Sequence, residues 1–128
     1  MQVKIDGKDY ELNFGIRFIN LMDQNHNLSN NGIKTGMGVN QAVTSLTMLD
    51  PIGLAEIIEC ATWINKERPT MNQIYNFLDT TADIAKLCKD ILKELQTSNS
   101  TKAQVKNVLK TMKNAQERAM KMSLEKSV

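Results

Sequence analysis

The hydrophobic periodicity of the chain changes near residue 15, and this change constrains the fold more than any other feature. Before it, apolar and polar residues alternate on both sides of Asp6-Gly7; the apolar positions are Val3, Ile5, Tyr10, Leu12 and Phe14. A period of two indicates strands, and Asp-Gly favours the positive φ angles of a tight turn. The sequence therefore predicts an N-terminal β-hairpin, which needs helices against its apolar face because a lone hairpin is marginal in water.

From Ile16 onward the apolar residues recur at helical spacing. Two short, weakly patterned helices are predicted. The first has an apolar stripe of Ile16, Ile19, Leu21 and Met22 and ends in the polar run Gln24–Asn27, and the second spans Val39–Leu49. Asp50-Pro51 then has the form of an N-cap followed by a first-turn proline, which starts a helix. The apolar residues of this third helix follow the i, i+3, i+4, i+7 rule and predict the most buried helix of the protein; they are Leu54, Ile57, Ile58 and Ala61.

Further helices are predicted in the second half of the chain. Thr70 and Gln73 have the spacing of a capping box, in which each side chain satisfies a backbone amide of the other residue. The clearest amphipathic helix is predicted over Thr81–Gln96, and a weaker helical stripe returns over residues 105–112. The last residues, Met122–Val128, lack a pattern and are expected to fray.

Together these patterns predict a mainly α fold of five to six helices with a small N-terminal β-hairpin. At 128 residues the chain fits one domain. We expect residues 1–98 to form the hairpin and helical core, and residues 99–128 to form a basic C-terminal helix and frayed tail that extend the same domain. Cys60 and Cys88 lie in helical patterns and are expected to be buried apolar residues rather than a disulfide.

No constellation of catalytic or metal-binding residues emerges. His26, the single histidine, lies in a polar turn without a second ligand at a fixed spacing, so we expect it to be solvated. Glu56 and Glu59 lack the spacing of a paired acid and base, and neither cysteine has a histidine nearby in sequence. We therefore expect no active site, no cofactor and no bound metal.

Three of the six glycines fall within seven residues of the segment Asn31–Gly38. Glycine is used where backbone torsions or a close approach exclude a side chain. The spacing matches neither the phosphate-binding loop nor the dinucleotide-binding fingerprint, and a helical pattern rather than a strand precedes it. A hinge or a plain connector is therefore favoured over a phosphate cradle.

Charge is distributed unevenly along the chain. Residues 1–96 hold nine Lys and Arg against twelve Asp and Glu, a net charge of −3, whereas residues 97–128 hold seven against two, a net charge of +5. Four lysines recur at spacings of four, four and three: Lys102, Lys106, Lys110 and Lys113. A solvated helix face is favoured over a charged partner. No arginine cluster or interleaved aromatics accompany the lysines, and Arg118 stands alone, so devices for reading and stacking bases are missing. Among charged partners, an acidic or helical protein surface fits as well as nucleic acid.

The opening residues contain no apolar core of a signal peptide, and no apolar run approaches the ~20 residues that a membrane span needs. We therefore expect a cytoplasmic protein without a membrane partner.

Four segments, taken in their order and spacing, carry a resemblance to a known family; they are Lys8–Ile19, Asn31–Gly38, Asp50-Pro51 with the following Leu54-Ala55, and Ala61–Trp63 before Arg68-Pro69. Together they resemble the tail assembly chaperones of long-tailed phages and prophages of Gram-positive bacteria, over about residues 3–112. The resemblance implies a non-enzymatic assembly factor. Proteins of this kind bind the long, helical, apolar tape measure protein, keep it soluble and help recruit tail tube subunits.

The resemblance also implies the setting. The expected partners are the tape measure protein and the tail tube protein, with self-association left open, in the cytoplasm of the bacterial host. Such factors are absent from the mature virion, and many have a longer product made by programmed ribosomal frameshifting. The alternatives are a small nucleic-acid-binding or regulatory module and a structural head–tail protein. Methionine adapts to variable partners, although gap-filling in a helical core is the favoured role of the methionines. Lysines attract a charged partner. The candidate partner-binding residues are Met37, Met48, Lys102, Lys106, Lys110 and Lys113.

Overall fold

The structure is a computed structural model that describes residues 1–80 and 82–126. In chain order its elements are β1 (Gln2–Ile5), β2 (Lys8–Glu11), α1 (Ile16–Asn25), β3 (Asn27–Asn30), β4 (Ile33–Gly36), α2 (Gly38–Thr47), α3 (Pro51–Ala61), α4 (Met71–Thr80), α5 (Ile84–Thr97) and α6 (Lys102–Lys126). A 3-10 turn over Thr62–Ile64 follows α3. The predicted mainly α fold with an N-terminal hairpin is confirmed, with six α-helices in the part of the chain that is described.

β1 and β2 form the predicted antiparallel hairpin, with Val3 opposite Tyr10. Asp6 (φ 54°) and Gly7 (φ 77°) both adopt positive φ, as a two-residue type I′ turn requires. Val3, Ile5 and Tyr10 are buried. β1 packs against α4, and β2 packs against the 3-10 turn. The hairpin is therefore stabilised by the helices that cover its apolar face.

The predicted helix starts at Asp50-Pro51 and Thr70 are confirmed. The Asp50 carboxylate accepts a hydrogen bond from the N–H of Ile52 at 3.0 Å, and Pro51 occupies the first turn of α3. Before α4, the side-chain amide oxygen of Gln73 accepts from the backbone N–H of Thr70 at 2.9 Å, and the Thr70 hydroxyl accepts from the backbone N–H of Gln73 at 3.1 Å. Both motifs satisfy amides that a helix start leaves without internal partners.

The core lies between α3 and the helices around it. α3 packs against α1, α2 and α4, and α2 also contacts α5 and α6. α3 is deeply buried, as predicted, and five of its side chains have no exposed surface: Leu54, Ala55, Ile57, Ile58 and Ala61. α5 contributes a stripe of buried residues to the same core; they are Cys88, Ile91 and Leu95. The start predicted for this helix, Thr81, lies outside the described residues.

The segment predicted to be a loop contains a second β-hairpin. β3 and β4 pair antiparallel, and their two-residue turn is Asn31-Gly32, with φ angles of 51° and 79°. All eight strand residues are exposed. Because both faces of these strands meet solvent, their sequences have no period-two hydrophobic pattern, although Asn-Gly is a strong turn signal.

Three details of the predicted helices are also wrong. α1 buries Phe18 and Met22, whereas Ile16, placed on its apolar stripe, is 76% exposed. α2 ends at Thr47 because Leu49 has a φ of 56°, which a right-handed helix excludes. α6 continues to Lys126, so the described residues of the tail expected to fray are helical.

Candidate partner-binding surface

The four candidate lysines lie on the exposed side of α6. α6 packs against α2 and α5 and buries Val105 and Val108. All four lysine side chains are exposed, and within residues 1–80 and 82–126 none of them forms an ion pair; they are Lys102, Lys106, Lys110 and Lys113. Solvated lysines can meet the carboxylates or phosphates of a partner without first breaking an internal salt bridge.

A groove lies between the end of α5 and the start of α6. It has a volume of about 530 Å³ and is lined by Gln96, Lys102, Ala103, Lys106 and Leu109. Its lining combines the apolar side chains of Ala103 and Leu109 with two lysines. Such a groove suits a partner that brings an apolar side chain next to negative charge.

Two apolar residues that were not among the candidates share the lysine side of α6. Leu109 follows Lys106 by three residues and precedes Lys113 by four, and Met120, which is 68% exposed, follows Lys113 by seven. Residues at these spacings occupy one side of a helix. The helical spacing that reveals the lysine stripe in the sequence also places Leu109 and Met120 on the same side of the helix.

The two candidate methionines occupy opposite ends of α2. Met37 is the partly buried N-cap residue of α2, and Met48 is the C-cap residue. At 1.5 Å per residue they are about 16 Å apart along the helix axis. Met48 is 74% exposed beside the equally exposed Ile52, with Leu49 between them 48% exposed. The methionines therefore cannot line one small pocket together.

The glycine-rich segment makes a close contact with α1. The backbone N–H of Gly38 donates a hydrogen bond to the Asp23 carboxylate at 2.8 Å. A Cβ at Gly38 would lie 2.5 Å from the Cβ of Met22, and a Cβ at Gly36 would overlap the Asp23 carboxylate. An internal carboxylate thus occupies the position at which a phosphate would meet the start of α2. The geometry agrees with the sequence in disfavouring a phosphate cradle.

His26 is not the solvated turn residue that the sequence suggested. Its Nε2 lies 2.5 Å from Oε1 of Glu56, and both side chains are partly buried. The Asn25 amide donates to the other oxygen of the same carboxylate at 3.4 Å. His26 and Glu56 are thirty residues apart in sequence, so the pairing had no local signal. The contact ties the end of α1 to α3.

Cys60 and Cys88 are free and buried, as predicted. Burial, together with the carboxylates of Glu56 and Glu59, raises the pKa of Cys60 to about 12. Burial also raises the pKa of Cys88, with a smaller contribution from Asp50. The neutral thiol is therefore strongly favoured over the nucleophilic thiolate at neutral pH.

No cluster of three or more His, Cys, Asp or Glu side chains suited to a metal ion occurs among the described residues. The helices in that part of the chain also lack the combination of length and apolar character needed to cross a bilayer.

The comparison with protein families agrees with this description. Residues 2–110 match the model of the phage tail assembly chaperone proteins. The match covers most of the chain, which therefore belongs to the phage tail assembly chaperone family. No curated protein and no solved structure matches it.

Proposed function

We propose that this protein binds the tape measure protein, keeps it soluble and helps recruit tail tube subunits while the phage tail is assembled. Membership of the tail assembly chaperone family is the observation that carries the proposal. The tape measure protein and the tail tube protein are its proposed partners. The proposed place of action is the cytoplasm of the bacterial host, and the protein is proposed to be absent from the mature virion.

Exposed apolar side chains support a binding role. Large apolar residues are exposed in three separate parts of the molecule: on the β3–β4 hairpin, around the α2–α3 connection, and on α6. They are Leu28 and Ile33, then Met48 and Ile52, and then Met120 and Met122. Methionine and aliphatic side chains adapt to varied partners, so these surfaces suit a client that exposes apolar helices.

We also propose that the protein works without catalysis. The family is typically non-enzymatic. The raised pKa values of Cys60 and Cys88 support this proposal because they disfavour both thiolates. The tight pairing of His26 with Glu56 further supports it, since the pair joins two helices and lies apart from the groove beside α6.

Co-expression with the tape measure protein encoded in the same gene cluster tests the proposal. The expected result is that the tape measure protein becomes soluble and co-purifies with the chaperone. Adding the tail tube protein to this complex is expected to give a ternary complex. An insoluble tape measure protein in the presence of equimolar chaperone would contradict the proposal.

Mass spectrometry of purified mature particles tests the proposed absence from the virion. An assembly factor is expected to be missing from particles whose tails are complete. A stoichiometric amount of this chain in the particles would instead indicate a structural head–tail protein.

A further inference from the structure

We propose that one continuous side of α6 binds an amphipathic helix that carries acidic residues beside its apolar stripe. This side, called here the α6 docking face, comprises Lys102, Lys106, Leu109, Lys113 and Met120. The inference rests on the proposed function, because it assigns a surface to the client and a charge to the client segment.

The docking face is continuous along the helix. Its residues fall at positions i, i+4, i+7, i+11 and i+18, so at 100° per residue they lie within about 30° of a common line. From Lys102 to Met120 the face extends for about 27 Å, or five turns of helix. A docked helix of about 18 residues would match that length.

The groove at the base of the face provides an anchoring point. Leu109 and Ala103 supply apolar surface there, and Lys102 and Lys106 stand beside it. Its volume of about 530 Å³ is large enough for one or more large apolar side chains of a partner. Farther along, Met120 offers a second apolar contact, since 68% of its surface is exposed.

The charge of α6 selects the kind of helix that fits. Residues 102–126 hold seven Lys and Arg against two Glu, a net charge of +5. In the described part of the chain Lys102, Lys106 and Lys113 form no ion pair, so each can meet a carboxylate of the client. An amphipathic helix laid along an apolar and oppositely charged face is a recurrent mode of recognition.

The same charges argue against two other occupants. A second copy docked through this face would bring lysines against lysines, which is destabilising. Duplex DNA would use the lysines but would leave Leu109 and Met120 without apolar partners, and the face carries neither arginine nor an aromatic side chain for reading bases. Both occupants are outcomes of the test below.

The test uses the full-length protein and three fluorescent synthetic peptides of about 18 residues. The first peptide has a Leu and Ala stripe flanked by Glu, the second replaces each Glu with Lys, and the third scrambles the first. Anisotropy titrations at low and physiological salt are expected to show binding of the Glu peptide. The Lys and scrambled peptides are expected to bind at least about tenfold more weakly.

Variants of the docking face locate the binding. Lys106→Glu with Lys113→Glu is expected to weaken the Glu peptide at least about tenfold, and Met120→Glu about threefold or more. Matched controls make comparable changes outside every proposed binding surface, since Lys89→Glu alters an exposed lysine and Ile16→Glu alters an apolar side chain that is 76% exposed. The controls are expected to keep the wild-type affinity, and all these sites are exposed, so circular dichroism should show an unchanged fold.

Several results would overturn the inference. These are equal binding of the Glu and Lys peptides, tight salt-sensitive binding of duplex DNA, or a dimer in sedimentation that Lys106→Glu with Lys113→Glu abolishes. If that double variant still co-purifies with the tape measure protein as well as wild type does, the docking face is wrong but the proposed function stands. If the wild-type protein does not bind the tape measure protein, the proposed function is wrong. The peptide titrations would still show whether the α6 docking face binds an acidic amphipathic helix.

Discussion

The Asp23 carboxylate accepts a hydrogen bond from the backbone N–H of Gly38 at 2.8 Å, and α1 thereby caps α2. The N-cap residue of α2, Met37, makes no side-chain capping bond of its own. The cap therefore comes from a residue fifteen positions earlier in the sequence. It depends on the missing side chain at Gly38, because a Cβ there would lie 2.5 Å from the Cβ of Met22.

Gly38→Ala is expected to reduce the free energy of unfolding by about 1–3 kcal/mol, the usual cost of overpacking. Alanine is the better helix former by up to about 1 kcal/mol. The sign of the measured change in unfolding free energy therefore shows whether overpacking against Met22 or helix propensity is larger. Urea unfolding monitored by circular dichroism measures it. Asp23→Ala, which removes only the cap, is expected to cost about 1 kcal/mol, and Asp79→Ala at an exposed site serves as its control.

The contact between α2 and α3 predicts that a second glycine-to-alanine change destabilises the fold, although alanine is the better helix former. A Cβ at Gly53, inside α3, would overlap the side chain of Ser45 on α2. Gly53→Ala is therefore expected to destabilise the fold by about 1–3 kcal/mol in urea unfolding. Ser45→Gly should recover part of that loss in the double variant, since residues in contact couple in a mutant cycle. A stabilised Gly53→Ala protein would show that the helices do not approach this closely.

Features set by neighbouring residues could be predicted from the sequence. The turn at Asp6-Gly7, the N-cap at Asp50 and the capping box at Thr70 each depend on residues within a few positions, and all three are confirmed. The capping of α2 by Asp23 and the pairing of His26 with Glu56 could not be predicted, because their partners are brought together only by the packed helices.

The extent of exposed elements also could not be predicted from the sequence. β3, β4 and the end of α6 bury little or nothing, so no hydrophobic period marks their extent. The candidate surface is affected in the same way. The lysine stripe was visible as a charge pattern, but its continuity with Leu109 and Met120 depends on α6 remaining helical to Lys126.

Asn65 joins the N-terminal hairpin to the segment after α3. Its amide accepts from the N–H of Glu11 at 3.0 Å and donates to the carbonyl oxygens of Glu11 and Thr62 at 2.9 and 3.0 Å. Asn65→Ala removes three part-buried hydrogen bonds and is expected to cost about 2 kcal/mol in urea unfolding. Asn65→Asp keeps the acceptor but loses both donors, so it should also destabilise. An unchanged midpoint for both variants would contradict the bridging role.

The buried thiol of Cys60 predicts a dependence of stability on pH. Its pKa is raised to about 12 in the folded protein, whereas an unfolded thiol titrates near pH 8.5. The folded state therefore binds more protons between these values, and stability is lost as the pH rises through that window. Wild type should lose part of its advantage over Cys60→Ala between about pH 7 and about pH 10. The cavity in the variant is the same at both pH values, so a constant difference would contradict the raised pKa.

The end of α6 is expected to contribute little to folding. Every residue from Lys113 to Lys126 is exposed, whereas Val105 and Val108 are buried and Leu109 and Met112 are partly buried. Ending the chain after Met112 removes no core contact, so the free energy of unfolding should change by no more than about 0.5 kcal/mol. Ending it after Thr101 removes the buried valines and should cost several times more. Comparable destabilisation by both truncations would mean that residues 113–126 pack against the domain in solution.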